Sequence, residues 1–290
     1  MSGDRAPVRV TTADLVAGFR DLGLAPGMGV MVHSSLSSFG HVVGGPATVV
    51  QALMTSVTPN GTLMMPTFNH GAPFRRDGAG CYDPRVTPTT NGAIPDHFWR
   101  LPDVSRSLNP THPFAAWGRH ADRYVALHHR TLTMGPSSPL GLLYQDGGYG
   151  LLLGVDYTSN TFHHVVEMTT GAPCLGQRTE AYPVRLSDGR EVQGRTWGWR
   201  AGGCPFTDGN RYADRMADKQ RVITIGRAPC TLYRLQDAFA VVGRILSEGR
   251  DGFPPCTRCP IRPRQVVQTV ASDWDAEHQR LRPDSVALTY

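Results

Sequence analysis

The sequence predicts an α/β fold with a mainly parallel central sheet, helices packed on it and a β-rich excursion. Three observations carry that expectation. Apolar runs of strand length alternate with segments of helical period, and the first strand–helix–strand passage is long enough for a parallel crossover. A hairpin turn signal, Asp188-Gly189, sits well downstream. With 290 residues, 40% apolar and 18% charged, the chain is long enough to bury a sizeable core. It reads as a single α/β domain over residues 1–290, with a β-rich insertion at about 170–215 and a Pro- and Arg-rich segment at about 250–290.

Each element has its own signal. Thr12 is placed as the N-cap of a first helix in which Leu15, Val16, Phe19 and Leu22 recur at helical spacing. Glycines between 23 and 29 end it, and residues 29–33 form a short buried strand. A serine- and glycine-rich loop, 34–45, leads to Pro46 in the first turn of a helix continued by Val49, Val50, Leu53, Met54 and Val57. Pro59-Asn60-Gly61 is a turn, and residues 62–65 are a second strand that closes a βαβ unit. Residues 66–112 are loop-rich, and long loops inside compact domains tend to carry function. Strands are expected at 114–118 and 151–155, and a helix at 160–169. Gly147, Gly148 and Gly150 precede the 151–155 strand, whereas a dinucleotide fingerprint must follow one, so a Rossmann-type site is excluded there. Beyond the Asp-Gly hairpin, a strand at 222–225 and a helix at about 231–247 complete the reading.

Composition excludes several function classes. The 29 basic and 24 acidic side chains leave +5, with a pI near 9.0 and no run of five like charges. A nucleic-acid footprint would cluster that charge, so no nucleic-acid partner is expected. Lys219 is the single lysine, which leaves neither a Walker phosphate loop nor a Ser-x-x-Lys pair. No stretch approaches 18 consecutive apolar residues, so no membrane span is expected. The polar N-terminus lacks a secretory pattern, and six cysteines are too few for a disulfide scaffold. The chain therefore reads as cytoplasmic with reduced thiols. Cys256-Thr257-Arg258-Cys259 has the spacing of half a zinc site, which Cys204 and Cys230 would complete; scattered thiols are the other reading. No metal is expected, and no metal ligand is assigned.

Two constellations point to chemistry. In Asn160-Thr161-Phe162-His163-His164-Val165-Val166-Glu167, helical spacing puts His164 and Glu167 on one face at three apart. A histidine oriented by a carboxylate makes a general base; an ordinary His–Glu surface pair is the alternative. The second constellation runs from His33, Ser34, Ser35, Leu36 and Ser38 to Gly44 and Gly45, after a strand and before a helix. Hydroxyls, unhindered glycines and helix N-terminal N–H groups suit a phosphate or pyrophosphate; a plain βα loop is the alternative.

Val32-His33-Ser34-Ser35-Leu36, Gly44-Gly45-Pro46, Gly61-Thr62-Leu63, Met65-Pro66-Thr67-Phe68 and Thr87-Pro88 with Asn91-Gly92 follow one another in the chain. Arg106-Ser107, His112-Pro113, Ala116-Trp117-Gly118, Ser138-Pro139-Leu140 and Leu153-Gly154-Val155 through Asn160-Thr161 to His164 and Glu167 continue the series. Together, over about 12–247, they resemble the aminoglycoside 3-N-acetyltransferase family, which is unrelated in fold to the common GNAT acetyltransferases. The resemblance implies acyl transfer from acetyl-CoA, or another acyl-CoA, to a primary amine, with His164 as base and Glu167 as its partner. It implies coenzyme A contacts from His33, Ser34, Ser35, Leu36, Ser38, Gly44 and Gly45, and from Arg106 and Ser107. Asp77, Asp83, Asp156 and Asn160 are the expected substrate-binding residues, with Asp96 as a further acid on the long loop.

Two departures bear on the substrate. Thr158 stands where the family commonly carries an acid, with Asp156 nearby. The stretch 195–215 is basic, with Arg195, Arg200, Arg211 and Arg215 against Asp208 and Asp214. A polycationic aminoglycoside needs carboxylate partners. The leading expectation is an aminoglycoside 3-amino group. The alternatives are a biosynthetic N-acyltransferase for a small or zwitterionic amine, and a non-catalytic coenzyme A-binding protein. Oligomeric state is not legible in the sequence.

Overall fold

The structure is a computed structural model that describes residues 8–170, 180–196, 204, 210 and 212–250. In chain order it forms β1 (Arg9–Val10), α1 (Thr12–Leu22), β2 (Gly29–Ser34), β3 (His41–Val42), α2 (Gly45–Val57) and β4 (Thr62–Pro66). Next come α3 (Ala93–Trp99), β5 (Ser105–Arg106), β6 (Phe114–Gly118), α4 (Ala121–Val125), α5 (Pro139–Gln145) and β7 (Tyr149–Leu153). After α6 (Phe162–Thr169), β8 (Glu180–Arg185) and β9 (Glu191–Thr196) form a hairpin, and α7 (Ala213–Met216) follows. The described chain ends with β10 (Gln220–Ile225), β11 (Ala228–Arg234) and α8 (Leu235–Arg250).

Seven strands make one sheet in the order β10-β11-β7-β2-β4-β6-β5. Its centre is parallel, as the βαβ reading requires, through β7-β2 and β2-β4. The parallel character stops there. β6, β5, β11 and β10 all pair antiparallel to their neighbours. The β10–β11 connection is a tight turn, too short for the crossover that a parallel pair demands.

The pleat sorts the side chains. Val30, Val32, Leu63, Met65, Leu151 and Leu153 face one core with α1, α2 and α3. Met31, Met64 and Leu152 face the other with α5, α6 and α8. Period-two alternation in buried central strands thus fills two cores from one sheet. Cys204 belongs to the second core and Cys230 to the first, so the sheet separates two of the four sulfurs considered for zinc. Cys256 and Cys259 lie outside the described residues, as does the 251–290 part of the Pro- and Arg-rich segment.

Several boundaries move for local reasons. The N-cap of α1 is Thr11 rather than Thr12, because Asp14 completes a reciprocal capping box with Thr11. The strand expected at 151–155 runs over Tyr149–Leu153 and stops where Gly154 takes a positive φ of 66°. Residues 231–234 belong to β11, not to a helix, since Thr231, Leu232 and Tyr233 pair with β7 and α8 starts at Leu235. The hairpin forms where Asp188-Gly189 places it, with Gly189 at φ 85°.

One cross-strand pair fixes a residue identity. The Tyr233 ring lies against Gly150, its cross-strand partner, and a Cβ there would run into the ring. Gly150→Ala is expected to cost about 1–3 kcal/mol through overpacking. A lower urea midpoint at unchanged slope would show it; an unchanged midpoint would mean that the ring moves freely aside.

Candidate active site

In open α/β sheets, ligands sit beyond the carboxyl ends of the parallel strands. Here β2, β4 and β7 deliver His33, Thr67-Phe68 and the turn into α6 to that edge, and antiparallel β6 brings His112-Pro113 to the same end.

α6 carries the central pair. His164 Nδ1 lies 2.8 Å from Glu167 Oε2, and the Glu167 side chain is fully buried while that of His164 is 26% exposed. An ionised carboxylate only accepts, so Nδ1–H donates and the lone pair is left on Nε2. The helical spacing therefore yields an oriented, partly open imidazole. His163, next to it, is buried, and the two rings are 4.1 Å apart.

The start of α6 is held from two sides. Asn160 accepts from the Phe162 N–H at 3.1 Å and donates to the Tyr212 hydroxyl at 2.9 Å. From β2, His33 Nε2 accepts the Thr161 N–H at 3.3 Å and faces the Thr161 hydroxyl at 3.2 Å. Thr161 itself offers no side-chain cap, so Asn160 and the His33 imidazole meet the N–H groups at the helix start. An acceptor Nε2 puts the His33 proton on Nδ1, which is buried with no hydrogen-bond partner among the described residues. Burial, with a smaller contribution from His163, holds the His33 pKa down to about 3, so the ring is neutral.

On the far side stands an aromatic group. Phe68 packs on His112 with ring centroids 4.6 Å apart, and His70 meets the His112 edge at 5.2 Å. Burial lowers the His112 pKa well below its ordinary value, with further lowering from His70 and then His164. Sequence reasoning assigned no role to Thr161, His112, Phe68 or Tyr212. A histidine just before a strand that pairs with the end of β4 was the available signal for His112.

The serine loop joins this edge. Ser38 donates to Ser35 Oγ at 2.9 Å or to the Gly154 carbonyl at 2.8 Å, and Ser35 Oγ faces Ser37 at 3.2 Å. Ser34 Oγ is buried without a hydrogen-bond partner among the described residues. Leu36 opens a short 3-10 turn, and Gly44 caps α2 at φ 85°. Gly45 has a positive φ, and a Cβ there would meet open space.

The other expected site residues already have partners or stand exposed. Arg106 is buried and holds the long loop: it donates to Thr67 Oγ1 and to the carbonyls of Thr67, Thr87 and Pro84, with its guanidinium 4.4 Å over Trp99. Ser107 is fully buried, accepting from the Phe114 N–H and bonded to His128 Nδ1, both at 2.8 Å. Asp83 is paired with Arg85 at 2.9 Å, and that hydrogen-bonded guanidinium lowers its pKa. Asp96 is paired with Arg100 at 3.0 Å. Asp77 is exposed, and exposed Asp156 caps the turn at Thr158. Arg215 pairs with Glu248 at 2.8 Å. Arg200, Asp208 and Arg211 lie outside the described residues, as does the side chain of Arg195.

A family model described as aminoglycoside 3-N-acetyltransferase matches residues 31–247. The chain belongs to that family. With it the chain is an N-acetyltransferase. A curated relative, the prophage-derived aminoglycoside N(3')-acetyltransferase-like protein YokD of Bacillus subtilis, is 32% identical over 254 residues, covering 79% of this chain and 89% of its own. The solved structure of AAC-IIIb, a binary complex with CoASH, superposes with a TM-score of 0.73 at 26% identity, covering 85% of this chain and 99% of that one. A mutant of aminoglycoside acetyltransferase AAC(3)-IVa in complex with a gentamicin gives 0.69 at 30% identity, covering 87% and 95%. Among the described residues no helix is long and apolar enough to cross a membrane.

The buried imidazoles of this N-acetyltransferase make its stability acid-sensitive. His33 and His128 are held to about 3 chiefly by burial, whereas both titrate near 6.5 when unfolded. The unfolded chain therefore binds more protons between those values, so stability is full above about pH 6.5 and falls as pH drops toward about 3. Each such histidine adds a slope of up to about 1.4 kcal/mol per pH unit. Urea midpoints at pH 7, 6 and 5 should decline, and decline less steeply in His128→Asn. Midpoints independent of pH would contradict the neutral buried rings.

Proposed function

We propose that this N-acetyltransferase moves an acetyl group from acetyl-CoA, or a related acyl-CoA, to the 3-amino group of an aminoglycoside, with His164 as general base. The observation that carries the reading is the His164–Glu167 hydrogen bond beside the strand-end loops, in a family with relatives that bind CoASH and a gentamicin. At neutral pH an amine is mostly protonated, and only its lone pair attacks a thioester carbonyl. His164 Nε2 accepts the amine proton, and the Glu167 carboxylate steadies the imidazolium that results. The proton then passes to the departing thiolate, so the base is restored. Orienting both substrates over one imidazole supplies further acceleration.

The strand-end residues fit the donor. Buried polar atoms without described partners, His33 Nδ1 and Ser34 Oγ, flank the end of β2, and Gly44 and Gly45 open the α2 N-terminus. Ser35, Leu36 and Ser38 form the wall, and phosphate groups suit the N–H groups at that helix end. His33 Nδ1–H is the donor toward the thioester carbonyl in this reading. Arg106 and Ser107 support the loop rather than touch the cofactor.

A second reading has a specific observation behind it. Asp83 and Asp96, which would pair with substrate ammonium groups, are already paired with Arg85 and Arg100. That favours an acceptor with fewer positive charges, a small or zwitterionic amine. Thiol release from acetyl-CoA, measured with 2-deoxystreptamine antibiotics beside small amines, separates the two. Acetylation of small amines alone would overturn the aminoglycoside.

Folded His164→Ala is expected to lose at least about 100-fold in kcat, the usual contribution of a general base; undiminished turnover would remove the role. His33→Gln keeps an acceptor for the Thr161 N–H but no Nδ1 donor. It should lower kcat about 100-fold with little change in thermal midpoint, as loss of an oxyanion donor does. Unchanged kcat would leave His33 with its anchoring role alone.

A further inference from the structure

His163 takes no part in the proposed proton transfer. It is buried against His164, and its ring also meets Tyr212 edge-on at 6.1 Å. On one turn of α6, His163 and Glu167 stand four apart and His164 and Glu167 three apart, which brings all three to one side. One donor atom from each residue lies within 4.8 Å of the other two.

We infer that His163, His164 and Glu167 form a binding site for a divalent transition-metal ion of the zinc class, and that an ion held there switches the enzyme off. Two imidazoles and a carboxylate are the ligand types that borderline ions such as Zn²⁺ prefer, whereas Mg²⁺ and Ca²⁺ take oxygen. Tetrahedral bonds of about 2.0–2.1 Å put donor atoms about 3.3 Å apart, so small side-chain rotations close the trio around one ion. The carboxylate supplies negative charge where two neutral rings supply none, and the exposed edge of His164 gives the ion its way in. Three protein ligands leave the fourth position to water or to an amine.

Inhibition follows from either coordination mode and rests on His164 being the base. An ion on Nε2 takes up the lone pair that would accept the amine proton. An ion on Nδ1 displaces the proton shared with Glu167, and the ring then carries its proton on Nε2. Neither state accepts a proton from substrate.

Zinc chloride is the probe, titrated calorimetrically into the full chain and into His163→Leu, with His163→Phe as the ring-preserving variant should leucine disturb folding. Comparing wild type with these variants subtracts any ion held by cysteines. The wild type is expected to bind one more Zn²⁺ per chain than either variant. Micromolar zinc should suppress its turnover, and EDTA should restore it. The variants should keep metal-free turnover and need at least about tenfold more zinc for half-inhibition. Equal stoichiometry and equal zinc sensitivity in wild type and variants would overturn the site. Loss of one bound ion in the variants without any inhibition of the wild type would keep the site and instead overturn His164 as the base.

Discussion

The end of the central strand β2 and the start of α6 are joined through one neutral imidazole. His33 Nε2 takes the Thr161 N–H that would otherwise be an orphan donor at the head of the helix. That bond needs the uncharged ring, which burial favours, since a protonated imidazole has no lone pair to offer. Asn160 fixes the next N–H, so the helix start is defined to within a hydrogen bond from both sheet and side. The orientation of His164 and Glu167 depends on this arrangement. A ring that charged would repel the positive end of the helix rather than anchor it.

The same economy of polar groups runs through the second layer of the site. Ser107 links the Phe114 N–H to His128, and Arg106 gathers three carbonyls and the Thr67 hydroxyl of a long loop under the Trp99 ring. Leaving such buried groups unmade costs about 1–3 kcal/mol each, so these bonds favour this arrangement of a loop rich in Pro, Gly and Thr. Phe68 and His112 inherit their positions from it.

What the sequence made legible follows from range. The His164–Glu167 pair is separated by three residues on a helix, and helical periodicity alone brings it together. A buried central strand is visible in the continuous apolar run Val30, Met31 and Val32, and the hairpin in Asp188-Gly189. Contacts distant in sequence are a different matter: nothing in the residues around 33 announces a partner at 161, nor does 106 announce 67 and 87. The expectation that Asp83 and Asp96 are open to substrate leaves out that each faces an arginine two or four residues away. The strand assigned to helix at 231–234 shows the other limit, since Thr231, Leu232 and Tyr233 pair with β7 across more than seventy residues.

The contact of Ser38 with Gly154 has a consequence of its own. A side chain at Gly154 would collide with Ser38, and the serine hydroxyl reaches the glycine carbonyl, so the serine loop and the turn into α6 are in direct contact. A larger residue at position 154 would therefore press on the loop that carries Ser35, Leu36 and Ser38, although the two segments lie more than a hundred residues apart in the chain.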